Sequence, residues 1–85
     1  MEDQQAISIL KQGNINGLHV LVERYQQKAL QTALMIVKEK SVAEDVVQIS
    51  FIKVYDNIQQ FQDGNPFPPW FFTMVKNQGG NGFPS

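Results

Sequence analysis

The sequence predicts an all-α fold: a small helical bundle of three to four helices. Three observations lead there. Apolar residues recur at three- and four-residue steps along most of the chain instead of alternating, which is the helical period. Glycine and proline fall at Gly13, Gly17, Gly64, Pro66, Pro68, Pro69 and in the last residues, so they punctuate the helices and leave Leu18–Lys40 unbroken. The chain has 85 residues, with 42% hydrophobic and 18% charged side chains, so it is apolar enough for one small globule but too short for two. A core of that size is marginal unless the helices pack well or gain a partner.

The elements follow in order. Asp3 to Gln12 reads as a short first helix whose apolar side is Ala6, Ile7, Ile9 and Leu10, ended by Gly13-Asn14. Asn14 can cap the next helix, with Gly17 a tolerated weakness near its start. From Ile15 to about Lys38 one long helix is predicted, with Gln26–Lys28 the place for any bend. Leu18, Leu21, Val22, Tyr25, Ala29, Ala33 and Ile36 form its main stripe, and Leu30, Leu34 and Val37 lie alongside. Lys38 and Lys40 suit the negative end of its dipole. The link to the third helix is very short, so the two must pack antiparallel or steeply crossed.

The third helix is predicted over Ser41–Gln60. Ser41 and Glu44 have the spacing of a capping box, the Ser41 hydroxyl accepting from the Glu44 N–H and the Glu44 carboxylate from the Ser41 N–H. Ala43, Val47, Ser50, Val54, Ile58 and Phe61 line one face, widened by Val46 and Ile49. Asp63-Gly64-Asn65-Pro66 is a dense turn signal, with Gly64 where positive φ is needed. Prolines restrict the residue before them, so the fourth helix is predicted to start at Pro69 and run to about Lys76. Asn77 to Ser85 has no periodicity and is rich in turn formers. The expected organisation is a helical domain over 1–77 and a disordered tail over 78–85.

Composition excludes several classes. There is no Cys and only one His, His19, which leaves no disulfide framework and argues against a structural zinc site. No apolar run approaches the ~20 residues of a membrane span. The N-terminus lacks the basic and apolar regions of a secretory signal. No nucleophile–base pair or phosphate-cradling glycine loop is present, and adjacent Glu44 and Asp45 point apart on a helix. The chain is therefore read as a non-enzyme without a cofactor. Net charge is −1, unlike a stand-alone nucleic-acid binder. Lys11, Arg24, Lys28, Lys38 and Lys40 precede Ser41, whereas only Lys53 and Lys76 follow it, against Glu44, Asp45, Asp56 and Asp63.

Two groups of residues could carry chemistry. Asp45 and Gln48 lie one turn apart, able to form charge-assisted hydrogen bonds to a basic partner helix; the plainer reading is a solvated face. Tyr55, Phe61, Trp70, Phe71 and Phe72 gather around the loop, where aromatic rings can stack on unpaired bases; the plainer reading makes Phe61 and Phe71 core anchors. Gln62 and Asn65 carry amides, which offer a base edge both donor and acceptor.

The run AEDVVQISFIKVYDNIQQF, then a short glycine-containing loop, then PFPPWFFTMVKN, resembles region 2 of the extracytoplasmic-function (ECF) sigma factors of bacterial RNA polymerase. The core Asp45-Val46-Val47-Gln48, together with Phe51, Tyr55, Phe61 and Trp70, carries the resemblance, which covers roughly Met1 to Asn77. It implies a sigma-factor domain 2-like fold and a bacterial, cytoplasmic transcription-initiation module. It also implies that Asp45, Gln48, Ile49, Ile52 and Tyr55 dock on the clamp coiled coil of the largest subunit of core RNA polymerase. Phe61, Gln62, Asp63, Asn65, Trp70, Thr73, Lys76 and Asn77 would contact the −10 promoter element as melted DNA.

The chain departs from the family pattern in several places. Ile49 stands where the family usually has Glu, and either joins the core or exposes an apolar patch. Gln62 replaces a basic residue, and Pro68 a polar or basic one. The last helix is expected to be cut short after its start, without the second domain that reads the further-upstream promoter box. An alternative reading is a helical protein-interaction module, acting as a homodimer or as the target of an anti-sigma factor.

Overall fold

The computed structural model describes residues 1–81 of the chain. They form four helices in the order α1 (Asp3–Lys11), α2 (Asn16–Val37), α3 (Lys40–Asn57) and α4 (Phe67–Asn81), with a 3₁₀ turn at Ile58–Gln60. No strand occurs among the described residues. The fold is all-α, as the helical period predicts.

Helix α1 buries Ala6, Ile7 and Leu10 against α2. Gly13 ends it at φ +92, a conformation that suits glycine. The Asn14 side chain then accepts a hydrogen bond from the Asn16 N–H at 2.9 Å and so caps α2, as its position in the sequence predicts. Helix α2 runs without interruption to Val37. Leu21, Ala29 and Ala33 of its predicted stripe are buried, whereas Ile36 lies at the edge and is 37% exposed. A second tie between α1 and α2 is polar. The Asp3 carboxylate accepts from Arg24 and from the Tyr25 hydroxyl, and Arg24 also donates to the Met1 carbonyl. Burial, together with the Asp3 hydrogen bond and charge, pushes the Tyr25 pKa up to about 12.

Both ends of α3 and of α4 differ from the sequence prediction. The Ser41–Glu44 capping box does not form. Lys38 takes the left-handed conformation (φ 61), which turns the chain so that Glu39 becomes the cap residue and α3 starts at Lys40. The Ser41 hydroxyl donates to the Glu39 carboxylate instead, and Glu44 is free on the surface. At its far end, α3 gives way at Asn57 to the 3₁₀ turn, which buries Ile58 and delivers the chain to Phe61.

Helix α4 starts at Phe67, two residues before the predicted start. Pro68 and Pro69 then occupy the first turn, where missing N–H groups break no intrahelical bond, and the buried Phe67 ring anchors the end. The helix also continues past Lys76 to Asn81, so residues 78–81 are helical where a disordered tail is predicted; 82–85 lie outside the described residues. The reason is packing: Gly79 is buried, and a Cβ there would lie 3.2 Å from Ile36. Closeness to α2 outweighs the weak helix propensity of glycine, which costs about 1 kcal/mol per residue.

The core is one cluster shared by all four helices. Ala43, Val46, Val47, Ser50, Phe51 and Val54 form the buried side of α3, and the Ser50 hydroxyl is satisfied by the Val46 carbonyl at 2.7 Å. Aromatic rings join the elements. Phe51 of α3 stacks on Phe71 of α4 at 4.6 Å, Phe67 on Phe71 at 5.5 Å, and Tyr25 of α2 lies 5.3 Å from Phe67.

At Gly17 α1 and α2 approach closely: a Cβ there would sit 2.2 Å from the Ala6 carbonyl oxygen and 2.8 Å from the Leu10 nitrogen. Gly17→Ala gains about 1 kcal/mol of helix propensity but forces backbone against backbone, at the upper end of the ~1–3 kcal/mol range for overpacking. A net loss of about 2 kcal/mol is expected from urea unfolding followed by circular dichroism. Gly80→Ala, with nothing within 4 Å of the added methyl, should leave stability unchanged or raise it.

Candidate polymerase- and nucleic-acid-binding surfaces

Helix α3 has two sides because its buried positions repeat at the helical period. Opposite them, Asp45 and Gln48 are exposed, Ile52 is 57% exposed, Tyr55 is 50% exposed and Ile49 is half-buried. Four of the five sequence-predicted docking residues, Asp45, Gln48, Ile52 and Tyr55, therefore share the outward side over three turns. Ile49 is neither core nor fully exposed; it forms the apolar border between the two sides. Beside it, Gln26, Gln27 and Leu30 of α2 with Glu44, Val47 and Gln48 of α3 line a shallow groove of about 280 Å³. Such a surface offers amide and carboxylate groups around exposed aliphatic area, chemistry suited to a helix bearing arginine.

The second surface lies at the other end of α3. The chain passes from the 3₁₀ turn through Phe61, around Gln62–Pro66 with Gly64 at φ +91, and into α4. Phe61 is buried, 4% exposed, and packs on Trp70 at 4.8 Å, while Phe67 lies 6.0 Å from the same indole. Gln60, Phe61, Gln62, Asn65, Pro66, Pro69 and Trp70 surround an open depression of about 500 Å³. That volume falls in the range of small-molecule sites. The depression has an aromatic wall and three amide side chains around it, Gln60, Gln62 and Asn65, of which Gln62 and Asn65 lie in the loop. From there Thr73, Lys76 and Asn77 continue along the exposed surface of α4. Thr73 donates its hydroxyl proton to the Pro69 carbonyl at 2.7 Å, leaving its oxygen as an acceptor.

Two predicted DNA contacts have other primary duties. Phe61 is the floor of the depression and a core anchor. The Asp63 carboxylate pairs with Lys11 at 2.9 Å, so its charge is offset by α1, a compensation that separates the actual surface from the acidic balance of the linear sequence. Sequence reasoning missed the residues that hold the loop: Gln4 donates to the Asn65 carbonyl at 2.9 Å, Lys11 donates to the Phe61 carbonyl, and Gln59 donates to the Lys11 carbonyl at 2.7 Å. Nothing local marks them, because each contact joins residues 48 to 61 positions apart. His19 is exposed, and no cluster of three or more His, Cys, Asp or Glu suited to a metal occurs among the described residues.

The family model for sigma-70 region 2 matches residues 21–79, which include the α3 side, the loop and most of α4. The chain belongs to the sigma-70 region 2 family. It is 32% identical over 81 residues to the ECF RNA polymerase sigma-E factor of Haemophilus influenzae, covering 95% of this chain and 42% of that protein. It is 30% identical over 80 residues to the RNA polymerase sigma-H factor of Pseudomonas aeruginosa, covering 94% and 42%. The chain thus spans less than half the length of these curated relatives. Among solved structures it is similar to an engineered region 2 of sigmaE in complex with GTAAAA, determined by NMR. The TM-score is 0.89 at 28% identity, covering 95% of this chain and 84% of that one. The helical arrangement of this sigma region 2 is therefore that of an ECF-type relative. No helix among the described residues is long and apolar enough to cross a membrane.

The geometry separates an anchor, Phe61, from the presented side chain that follows it, Gln62. Phe61→Ala should destabilise the domain by about 3–5 kcal/mol, the range for a buried phenylalanine, whereas Gln62→Ala should stay within about 0.5 kcal/mol. Urea denaturation of both variants checks this; similar losses for the two would contradict the assignment.

Proposed function

We propose that this chain is a transcription-initiation module that binds core RNA polymerase through α3 and engages the −10 promoter element as single-stranded DNA through the Gln62–Phe67 loop and α4. The observation that carries the reading is the aromatic-walled depression rimmed by Gln62 and Asn65, in a fold that matches a sigmaE region 2 bound to GTAAAA. A base turned out of the stack would lie against the Trp70 indole and offer its edge to the two amides. Stacking of this kind is worth about 1–3 kcal/mol per base. Gln62, Asn65, Trp70, Thr73, Lys76 and Asn77 are the contacting side chains in this reading, with Phe61 supporting from below. Asp63 belongs to the loop's frame.

The charge distribution assigns the polymerase a large part in the binding. Lys76 is the one Lys or Arg on α4. Each phosphate contact that is absent removes its counterion release, so DNA affinity from this chain alone is weak. Docking to the largest-subunit clamp coiled coil then supplies what phosphate contacts do not, by holding the loop against already exposed bases. Asp45 and Gln48 take the hydrogen-bonding role there, and Ile49, Ile52 and Tyr55 supply apolar area. The module works in the bacterial cytoplasm and requires neither cofactor nor catalysis.

A pull-down with core RNA polymerase tests the reading, comparing the chain with an Asp45→Ala, Gln48→Ala double variant. Hydrogen bonds to charged partners contribute about 1.5–3 kcal/mol each, so the double variant should bind at least tenfold more weakly while keeping its helical circular dichroism. A folded chain that does not bind polymerase would contradict the proposal and favour the interaction-module reading, with self-association or an anti-sigma partner to be sought.

A further inference from the structure

The loop that carries Gln62 and Asn65 is tied down from outside its own hairpin of helices. Within the loop, the Asn65 N–H donates to the Gln62 carbonyl at 3.2 Å, and the Asn65 side-chain nitrogen reaches Gln62 Oε1 at 3.4 Å. Polar contacts from another element come from α1. The Gln4 side chain uses both ends of its amide: Nε2 donates to the Asn65 carbonyl at 2.9 Å, and Oε1 accepts from the Gly64 N–H at 3.3 Å. One side of α1 further on, Lys11 Nζ donates to the Phe61 carbonyl and pairs with the Asp63 carboxylate at 2.9 Å. Lys11 thus holds positions 61 and 63, and Gln4 holds 64 and 65. Gln62 lies between the two positions that Lys11 holds, and the two that Gln4 holds follow directly.

We propose that Gln4 and Lys11 are positioning residues for base recognition: they fix the backbone on both sides of Gln62 so that its amide and that of Asn65 face the depression together. This inference rests on the loop's role in binding single-stranded DNA. Its physical basis is conformational. The loop contains Gly64 at φ +91, a residue that loses more freedom on ordering than any other. When a site is competent only part of the time, apparent affinity falls by the competent fraction. Each tie is worth about a two- to tenfold population ratio, the range of a net hydrogen bond. Lys11 has a second effect, since it offsets the Asp63 charge beside a site meant for a polyanion.

A purely structural role for α1 would not require these contacts. The helix is already fastened by buried Ala6, Ile7 and Leu10, by the close approach at Gly17 and by Asp3 with Arg24 and Tyr25. Gln4 is exposed, so its truncation leaves that fastening in place.

The test uses the whole chain with Gln4→Ala, Lys11→Met and the conservative Lys11→Arg. Two readouts are needed: hydrogen exchange at the Gly64 amide without DNA, and discrimination between the best-bound hexamer of a random single-stranded DNA pool and its single-base variants. Gln4→Ala should speed Gly64 exchange about tenfold, weaken the best hexamer about three- to tenfold and flatten the discrimination, with the thermal midpoint unchanged. Lys11→Met should weaken binding and flatten discrimination similarly, and Lys11→Arg should restore both. Wild-type exchange in Gln4→Ala, or undiminished discrimination in both Gln4→Ala and Lys11→Met, would overturn the inference while leaving the DNA reading intact. A wild-type chain that selects no hexamer would overturn the DNA reading itself, and this role with it.

Discussion

Phe51, Phe71 and Phe67 form one continuous aromatic stack at the centre of the helix packing. Phe51 belongs to α3, and Phe67 and Phe71 to α4, so their contact sets how α4 lies on α3. Tyr25 joins from α2, and Phe61 and Trp70 extend the cluster to the loop. In a domain this small, aromatic side chains supply a large share of the buried area, and their pairing geometry adds about 0.5–1.5 kcal/mol per contact. The depression proposed to receive a base is the exposed edge of that same cluster. Stability and recognition therefore share side chains: Phe61 cannot be removed to test recognition without also loosening the core.

This economy places two surfaces on one scaffold without competition. Helix α3 turns Phe51 and Val54 inward and Asp45, Gln48 and Ile52 outward. The loop is fixed at its far end. In the proposed function, a partner on the outward side and a base at the loop would contact different residues. The surplus negative charge of the second half of the chain is partly cancelled by α1, whose Lys11 reaches Asp63. An exposed pair of this kind contributes little stability, so its value lies in the local field at the loop.

The helical class and the outward side of α3 were legible in the sequence because both follow from a period that packing has to respect. Asn14 as a cap and Gly64 at positive φ were legible for a similar reason, since each reflects a local conformational preference. The failures share a cause as well. The Ser41–Glu44 pattern describes a possible cap, but left-handed Lys38 brought Glu39 to that position first. The composition of Asn77–Gly80 signals a break, yet Gly79 is what allows α4 to lie against Ile36. Gln4 and Lys11 gave no signal at all, because their partners are distant in sequence and polar ties of single side chains leave no periodic trace.

If the proposed function holds, the aromatic edge with the Gln62 and Asn65 amides receives a single-stranded base. Amide and indole NMR shifts of the isotope-labelled chain, titrated with the hexamer GTAAAA, test it most directly. Saturable shifts are expected at Gln62, Gly64, Asn65 and the Trp70 indole N–H, fading along α4 through Thr73 and Asn77, with Asp45, Gln48 and Ile52 unmoved. Shifts spread over the basic side chains of α2, or centred on α3 with the loop silent, would contradict it.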